Sequence, residues 1–339
     1  MKLKRIGVDL AKQVFQVHGV DSHEQVVCRK QIKRSGLLDF FRQLEPCRVV
    51  MEACGGSHYW ARQFQALGHE VRLIAPQFVK PYVKGGKNDA NDAEAICEAG
   101  SRPTMRYVPI KSEEQQAALS VHRIRSRAIR ARTALVNEIR GLLGEFGLIE
   151  ARKGVAATRA LLARTLEESS GLPAAMRELM GELQDELQEK DKRIAMLDRL
   201  IQQQARQDER VQRLMQIEGL GPISATAMVA AVGDARQFKS GRQLAAWLGL
   251  VPNQYSSGGK ERLGSISKRG DTYLRTLLIH GARSALNAIA KKTDPRSVWI
   301  NELKCRRNTN IATVALANKN ARIIWALLSK GERYKNAAC

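Results

Sequence analysis

Over the first 75 residues the apolar positions come in short blocks, and beyond them they recur at the three- and four-residue steps of helices. Residues 4–9 predict a short strand closing on a carboxylate. Residues 14–20 and 25–32 predict two more strands, joined through the polar turn Asp21-Ser22-His23. Ser35 is expected to cap a helix running to about Leu44. Residues 47–51 are almost wholly apolar, as a central strand covered on both faces requires, and Glu52 follows them. Ala53-Cys54-Gly55-Gly56-Ser57 then turns into a helix carrying Tyr59, Trp60 and Phe64, and residues 70–74 predict one more strand. Residues 103–110 add a further extended segment.

Three strands with short links, then helix, strand, helix and strand, is the order expected of an α/β ribonuclease-H-like domain. Asp9 closes its first strand and Glu52 its fourth. With those strands adjacent and parallel, both carboxylates emerge at the carboxyl edge, where open sheets place their sites. The stretch Asn88-Asp89-Ala90-Asn91-Asp92-Ala93-Glu94-Ala95-Ile96 opens a helix with Asp89 and Asp92 on one face. One Asp capping the helix, with the other favouring the positive end of its dipole, would account for the pair. Packed over the sheet edge, the helix would instead bring four carboxylates together, and these repel unless cations hold them. A pair of Mg²⁺ ions on carboxylate oxygens satisfies such a cluster and suits phosphoryl transfer.

Ser112 opens a long helix with Val121, Ile124, Ala128, Ala131, Leu135, Ile139 and Leu142 as its expected apolar stripe. Arg123, Arg125, Arg127, Arg130 and Arg132 flank the stripe with no acid among them, which favours a surface that tracks phosphates over an ordinary solvated face. Residues 150–172 form a connection. After Pro173, the heptad-like series Met176, Met180, Leu183, Leu187, Ile194, Leu197 and Ile201 predicts a coiled coil or helical hairpin, making an oligomer contact or an intramolecular pair. Ile217-Glu218-Gly219-Leu220-Gly221-Pro222 resembles a helix-hairpin-helix turn, whose glycines let backbone N–H groups approach a phosphate. An apolar helix at residues 244–250 contains Trp247 and stops at Pro252. Residues 253–271 then read as a flexible, hydroxyl-rich loop carrying Lys260, Arg262, Lys268 and Arg269. A clamp on the DNA backbone is the simpler account of this loop, and a serine nucleophile in a cationic pocket the sharper one. Helices resume at residues 272–288 and 311–328.

Charge adds a partner to this outline. The 56 Lys and Arg against 34 Asp and Glu leave a net +22, with a pI of about 10.1, and imply a polyanion, nucleic acid first. The six cysteines show neither CxxC pairing nor zinc-type histidine spacing, so reduced structural thiols are expected. No apolar run is long enough to span a membrane, and Asp9 and Lys12 break any signal-peptide core, so a cytoplasmic protein without a membrane partner is expected. The expected divisions are residues 1–150 as the α/β catalytic domain, 151–211 as a helical linker or coiled coil, and 212–339 as a mainly α-helical C-terminal domain.

Taken together the motifs resemble the DEDD transposases of bacterial insertion sequences, described as bridge-RNA-guided recombinases. The likeness rests on Ile6-Gly7-Val8-Asp9, Val50-Met51-Glu52-Ala53 and Lys87-Asn88-Asp89-Ala90-Asn91-Asp92-Ala93 at the front. At the back it rests on Gly219-Leu220-Gly221-Pro222, Gly249-Leu250-Val251-Pro252, Ser257-Gly258-Gly259-Lys260, and Ile266-Ser267-Lys268-Arg269-Gly270 with Leu274-Arg275. The resemblance implies a RuvC-like domain whose Asp9, Glu52, Asp89 and Asp92 hold Mg²⁺, and a C-terminal transposase domain whose serine forms a covalent link to DNA. Ser257 matches that serine, with Ser256 beside it still open. The family further implies donor and target DNA, a noncoding bridge RNA, and dimers that pair into a tetramer with acids and serine from different subunits. Arg123, Arg127, Arg130, Lys260, Arg262, Lys268 and Arg269 are the expected nucleic-acid contacts. Two rivals predict different behaviour: a hydrolytic junction-resolving nuclease needs the acids without the serine, and a non-enzymatic nucleic-acid binder needs neither.

Overall fold

The computed structural model describes residues 2–85, 88–167, 171–289, 292–332 and 334; Lys87 of the acidic motif and residues 168–170 of the connection lie outside them. Packing divides the chain into two compact units, Met1–Glu113 and Glu114–Cys339.

In the first unit, β1 (Arg5–Asp9), β2 (Val14–Val20) and β3 (Val26–Lys33) form an antiparallel meander. After α1 (Leu37–Arg42), β4 (Arg48–Glu52) returns parallel to β1; after α2 (Ser57–Ala66), β5 (Glu70–Ile74) lies parallel to β4. α3 (Pro76–Val79) and α4 (Asp89–Ala99) follow, and β6 (Tyr107–Val108) pairs antiparallel to β5. The order across the sheet is β3-β2-β1-β4-β5-β6, a mixed α/β arrangement consistent with a RuvC-like start. Ser35 does not cap α1. β3 runs on to Lys33, the chain tightens through a 3₁₀ turn at Arg34–Gly36, and α1 begins without a side-chain cap.

The apolar run in β4 is covered on both faces, as its composition requires. Val49 and Met51 join Ile6, Val8, Phe15, Phe41, Trp60 and Phe64 on one face, while Val50 meets Ala95, Ile96 and Ala99 of α4 on the other. α4 comes this close because two positions lack side chains. A Cβ on Gly7 would stand 2.4 Å from the Ala93 carbonyl oxygen and 2.6 Å from the Cys97 amide nitrogen. One on Gly100 would stand 2.6 Å from a Val50 methyl. Arg5, buried at the start of β1, donates from Nε to the Cys97 carbonyl at 2.7 Å and pins the far end of the helix.

The second unit is mainly helical. It contains α5 (Glu113–Gly144, from its second residue), α6 (Val155–Thr165), α7 (Ala174–Gln207), α8 (Glu209–Met215), α9 (Pro222–Val232) and α10 (Gly241–Trp247). The hairpin β7 (Pro252–Gln254) and β8 (Leu263–Ile266) comes next, then α11 (Thr272–Ile289), α12 (Pro295–Arg306) and α13 (Thr309–Lys330). Leu135, Ile139, Leu143, Leu161, Leu162, Met180 and Leu187 bury together, so α7 packs within its own chain against α5 and α6.

The expected stripe on α5 holds at Leu135 and Ile139 and fails at Ile124 and Leu142. Ile124 and Leu142 are 38% and 39% exposed, and burial falls on His122, Leu135, Val136, Ile139 and Leu143. The inward face of the first half of α5 is polar. The His122 ring sits between the Tyr273 hydroxyl at 3.1 Å and the Thr226 hydroxyl at 3.0 Å. Arg125 and Arg132 turn toward Asp198 and Asp191 of α7.

Candidate active site

β1 and β4 run parallel with Val8 opposite Met51, so Asp9 and Glu52 leave the sheet side by side at its carboxyl edge. α4 begins over the same edge. Its N-cap is Asn88, whose side-chain oxygen accepts from the Ala90 amide at 3.0 Å. Neither aspartate is therefore needed as the cap, and both lie in the first turn. Asp9, Asp89 and Asp92 each bring a carboxylate oxygen within 4.8 Å of the other two. Glu52 stands outside that group, although its charge is felt there.

Electrostatics mark the convergence. Burial, then the charges of Asp92, Asp89 and Glu52, push the Asp9 carboxyl from an ordinary 3.8 up to about 6. Burial and Asp92 raise Glu52 as well. Carboxylates forced together at a cost need a counter-charge, and hard oxygen donors alone at this spacing fit a divalent cation. Sequence reasoning passed over Cys54, half-buried in the turn after β4, where burial, Glu52 and Asp9 raise its thiol so that it stays protonated. Gly7 was named only within the Ile6-Gly7-Val8-Asp9 motif, without the role it has here of setting the height of α4 above Asp9. A glycine in an otherwise apolar strand was the available signal.

The second predicted site is a hairpin rather than a flexible loop, because its central residues suit a tight turn. Gly258 and Gly259 have φ of 56° and 77°, as a two-residue turn joining twisted strands demands, and Ser257 pairs with Lys260 around them. The two candidate serines are both exposed and differ in their partners. The Ser256 hydroxyl accepts from Gln254 Nε2 at 3.0 Å and from the Arg262 amide at 3.2 Å, so it holds the hairpin together. Ser257 is exposed at the tip. The hairpin base is a backbone crossing: a Cβ on Gly249 would lie 2.1 Å from the Arg269 carbonyl oxygen, and one on Gly270 2.0 Å from that of Trp247. Buried Arg275 donates to the Leu248 carbonyl at 3.2 Å. Lys260, Arg262, Lys268 and Arg269 are all exposed around this frame.

Of the five α5 arginines, Arg123, Arg127 and Arg130 are exposed, whereas Arg125 and Arg132 are engaged with α7. The turn at Gly219 serves packing: its φ is 89°, and a Cβ there would lie 2.3 Å from the Gly281 carbonyl oxygen of α11. Gly221 alone is open on that turn.

Carboxylates gathered on the edge of such a sheet, in a chain this basic, belong to enzymes that process nucleic acid. Among known proteins, residues 6–147 match a DEDD transposase model of the IS110 group, and residues 211–295 match the model described as Transposase IS116/IS110/IS902 family. A probable family 20 transposase of Pseudomonas aeruginosa is 67% identical over 336 residues, 99% of each chain. The transposase for insertion sequence element IS1111A of Coxiella burnetii is 47% identical over 99% of this chain and 92% of its own length. That for IS1328 of Yersinia enterocolitica is 40% identical over 96% and 97%. The chain belongs to the IS110/IS116 family of DEDD transposases and is a DNA-processing enzyme, the transposase of an insertion sequence. Among the described residues, no helix is long and apolar enough to cross a membrane.

Proposed function

We propose that this transposase cuts and rejoins DNA through a covalent 5′-phosphoserine link on Ser257, with Asp9, Asp89, Asp92 and Glu52 as the holders of Mg²⁺. The observation that carries the reading is the meeting of three carboxylates on the sheet edge, none needed for capping and one titrating near 6. The bound ion would neutralise charge on the scissile phosphate. The Ser257 oxygen attacks phosphorus in line, the Oγ–P bond forms as the P–O3′ bond breaks, and the 3′-oxygen leaves with a proton. A 3′-hydroxyl of the partner strand then attacks the serine ester and releases Ser257, so the bond energy is kept and no ATP is needed. Lys260, Arg262, Lys268 and Arg269 hold the phosphates flanking the serine. Arg123, Arg127 and Arg130 supply a second basic strip, suited to donor and target DNA and to a noncoding bridge RNA. Acids and serine are brought together across subunits of a homo-oligomer, a dimer pairing into a tetramer.

Ser257→Ala protein, incubated with DNA and Mg²⁺ and run on denaturing gels, is expected to lose the protein–DNA adduct entirely, whereas Ser256→Ala retains it in a less stable hairpin. Adduct at wild-type level in Ser257→Ala contradicts the assignment. Continued strand cutting without adduct would point to hydrolysis.

A further inference from the structure

Beside the acidic cluster the first unit holds a cavity of about 190 Å³, lined by Gln16, His18, Arg29, Gln31, Asn91 and Glu94 among others. Two of its lining residues adjoin the clustered acids. Gln16 lies directly across from Asp9 in the β1–β2 pairing, and Asn91 sits between Asp89 and Asp92 at the start of α4. His18 is the unexplained residue. It is only 5% exposed, yet among the described residues its ring makes no hydrogen bond, and it lines the cavity. Its ring nitrogens are not among the buried polar atoms without a partner, so they keep access to the cavity, where a ligand would replace water as their partner.

The lining decides what that is. Arg29 pairs with Glu94 at 3.0 Å, and Lys30 lies over the Phe40 ring, away from the amides of the lining. An anion would also face the Glu94 carboxylate. What remains is the Gln16 and Gln31 amides and the His18 imidazole, which donate and accept hydrogen bonds as base edges do. The volume is below the roughly 300 Å³ at which ordinary ligand pockets begin. It leaves room for one heteroaromatic base and not for a whole nucleotide.

We infer that this cavity takes one unstacked nucleobase of the DNA strand whose phosphate lies at Asp9, Asp89 and Asp92, and so helps choose where that strand is cut. The inference rests on the reading of those acids as the strand-cutting site. A base seated there must leave its stack, as bases do in enzymes that read them singly. Gln16 and Gln31 contact its edge, and the His18 ring supplies the buried end.

The test is photo-crosslinking of the full-length protein to single-stranded oligonucleotides that each carry one photoreactive thymine analogue, with the adducts mapped by peptide mass spectrometry. Crosslinks to the β2 and β3 peptides are expected. Gln31→Trp, an exposed position where the larger ring blocks the mouth, should lower them about tenfold, the worth of one lost base contact. Gln16→Ala should lower them as well, and thermal melts of both variants confirm the fold. Crosslinks to those strands that persist undiminished in both variants, or wild-type crosslinks confined to α5 and the hairpin, overturn the inference. So does equal competition by an abasic oligonucleotide, which would mean that only phosphate is bound. Asp9→Asn separates the two readings: it should abolish cutting and keep the crosslink, so loss of one does not stand in for loss of the other.

Discussion

Single residues carry the chemistry, and each is under a stated constraint. Asp9 sits among three other acids, with a folded value of about 6 against an ordinary 3.8. Its folded form therefore holds the proton more tightly, and with divalent ions chelated the protein loses stability as pH rises from about 4 to about 6. Asp9→Asn should stabilise the protein in chelator at pH 7.5 by about 1 kcal/mol once solvent screening is allowed for, and have no effect at pH 3.5. Calorimetric scans across that range check the sign. His122 shifts the other way. Burial first, then the Arg125 charge, lower it from 6.5 to about 4. The unfolded chain binds that proton more readily, so the contribution is whole above pH 6.5 and is lost as pH falls toward 4. The loss should reach roughly 3 kcal/mol, seen in urea melts of wild type and absent from His122→Gln.

Elements bring those residues together, and their legibility in the sequence was uneven for physical reasons. The strands β1, β2, β4 and β5 could be read almost to the residue, because alternation and the all-apolar run of β4 leave few other solutions. The buried face of α5 was legible only at Leu135 and Ile139, since the rest turns on a buried histidine and two arginines whose partners are 73 and 59 residues away. Nor could the hairpin: Ser257-Gly258-Gly259-Lys260 was read for its charge and hydroxyls, while its two adjacent glycines were the turn signal. The acids were legible as strand ends and a helix start. Their meeting was not, because it depends on Gly7 and Gly100 letting α4 rest on the sheet. Gly7→Val should push the helix outward at a cost of about 2 kcal/mol or more and carry Asp89 and Asp92 away from Asp9. Strand cutting should then fall far more than the melting temperature, and the Mg²⁺ needed for half-maximal cutting should rise. A variant that melts lower yet cuts normally would show that the contact is only structural.

At the scale of the whole molecule, a net charge of +22 is combined with the concentrated negative charge of Asp9, Asp89 and Asp92. The excess draws nucleic acid to the protein through its phosphates, and the three acids would repel those same phosphates unless cations intervene. Binding and cutting should therefore respond differently to loss of an acid. The most direct measurement is strand cutting by the full-length protein beside its affinity for the same DNA, for wild type and Asp92→Asn across a Mg²⁺ titration. The account predicts DNA affinity equal to or tighter than wild type, and cutting reduced by more than about 100-fold at every Mg²⁺ concentration. Cutting by Asp92→Asn at the wild-type rate, with the wild-type Mg²⁺ dependence, would contradict it.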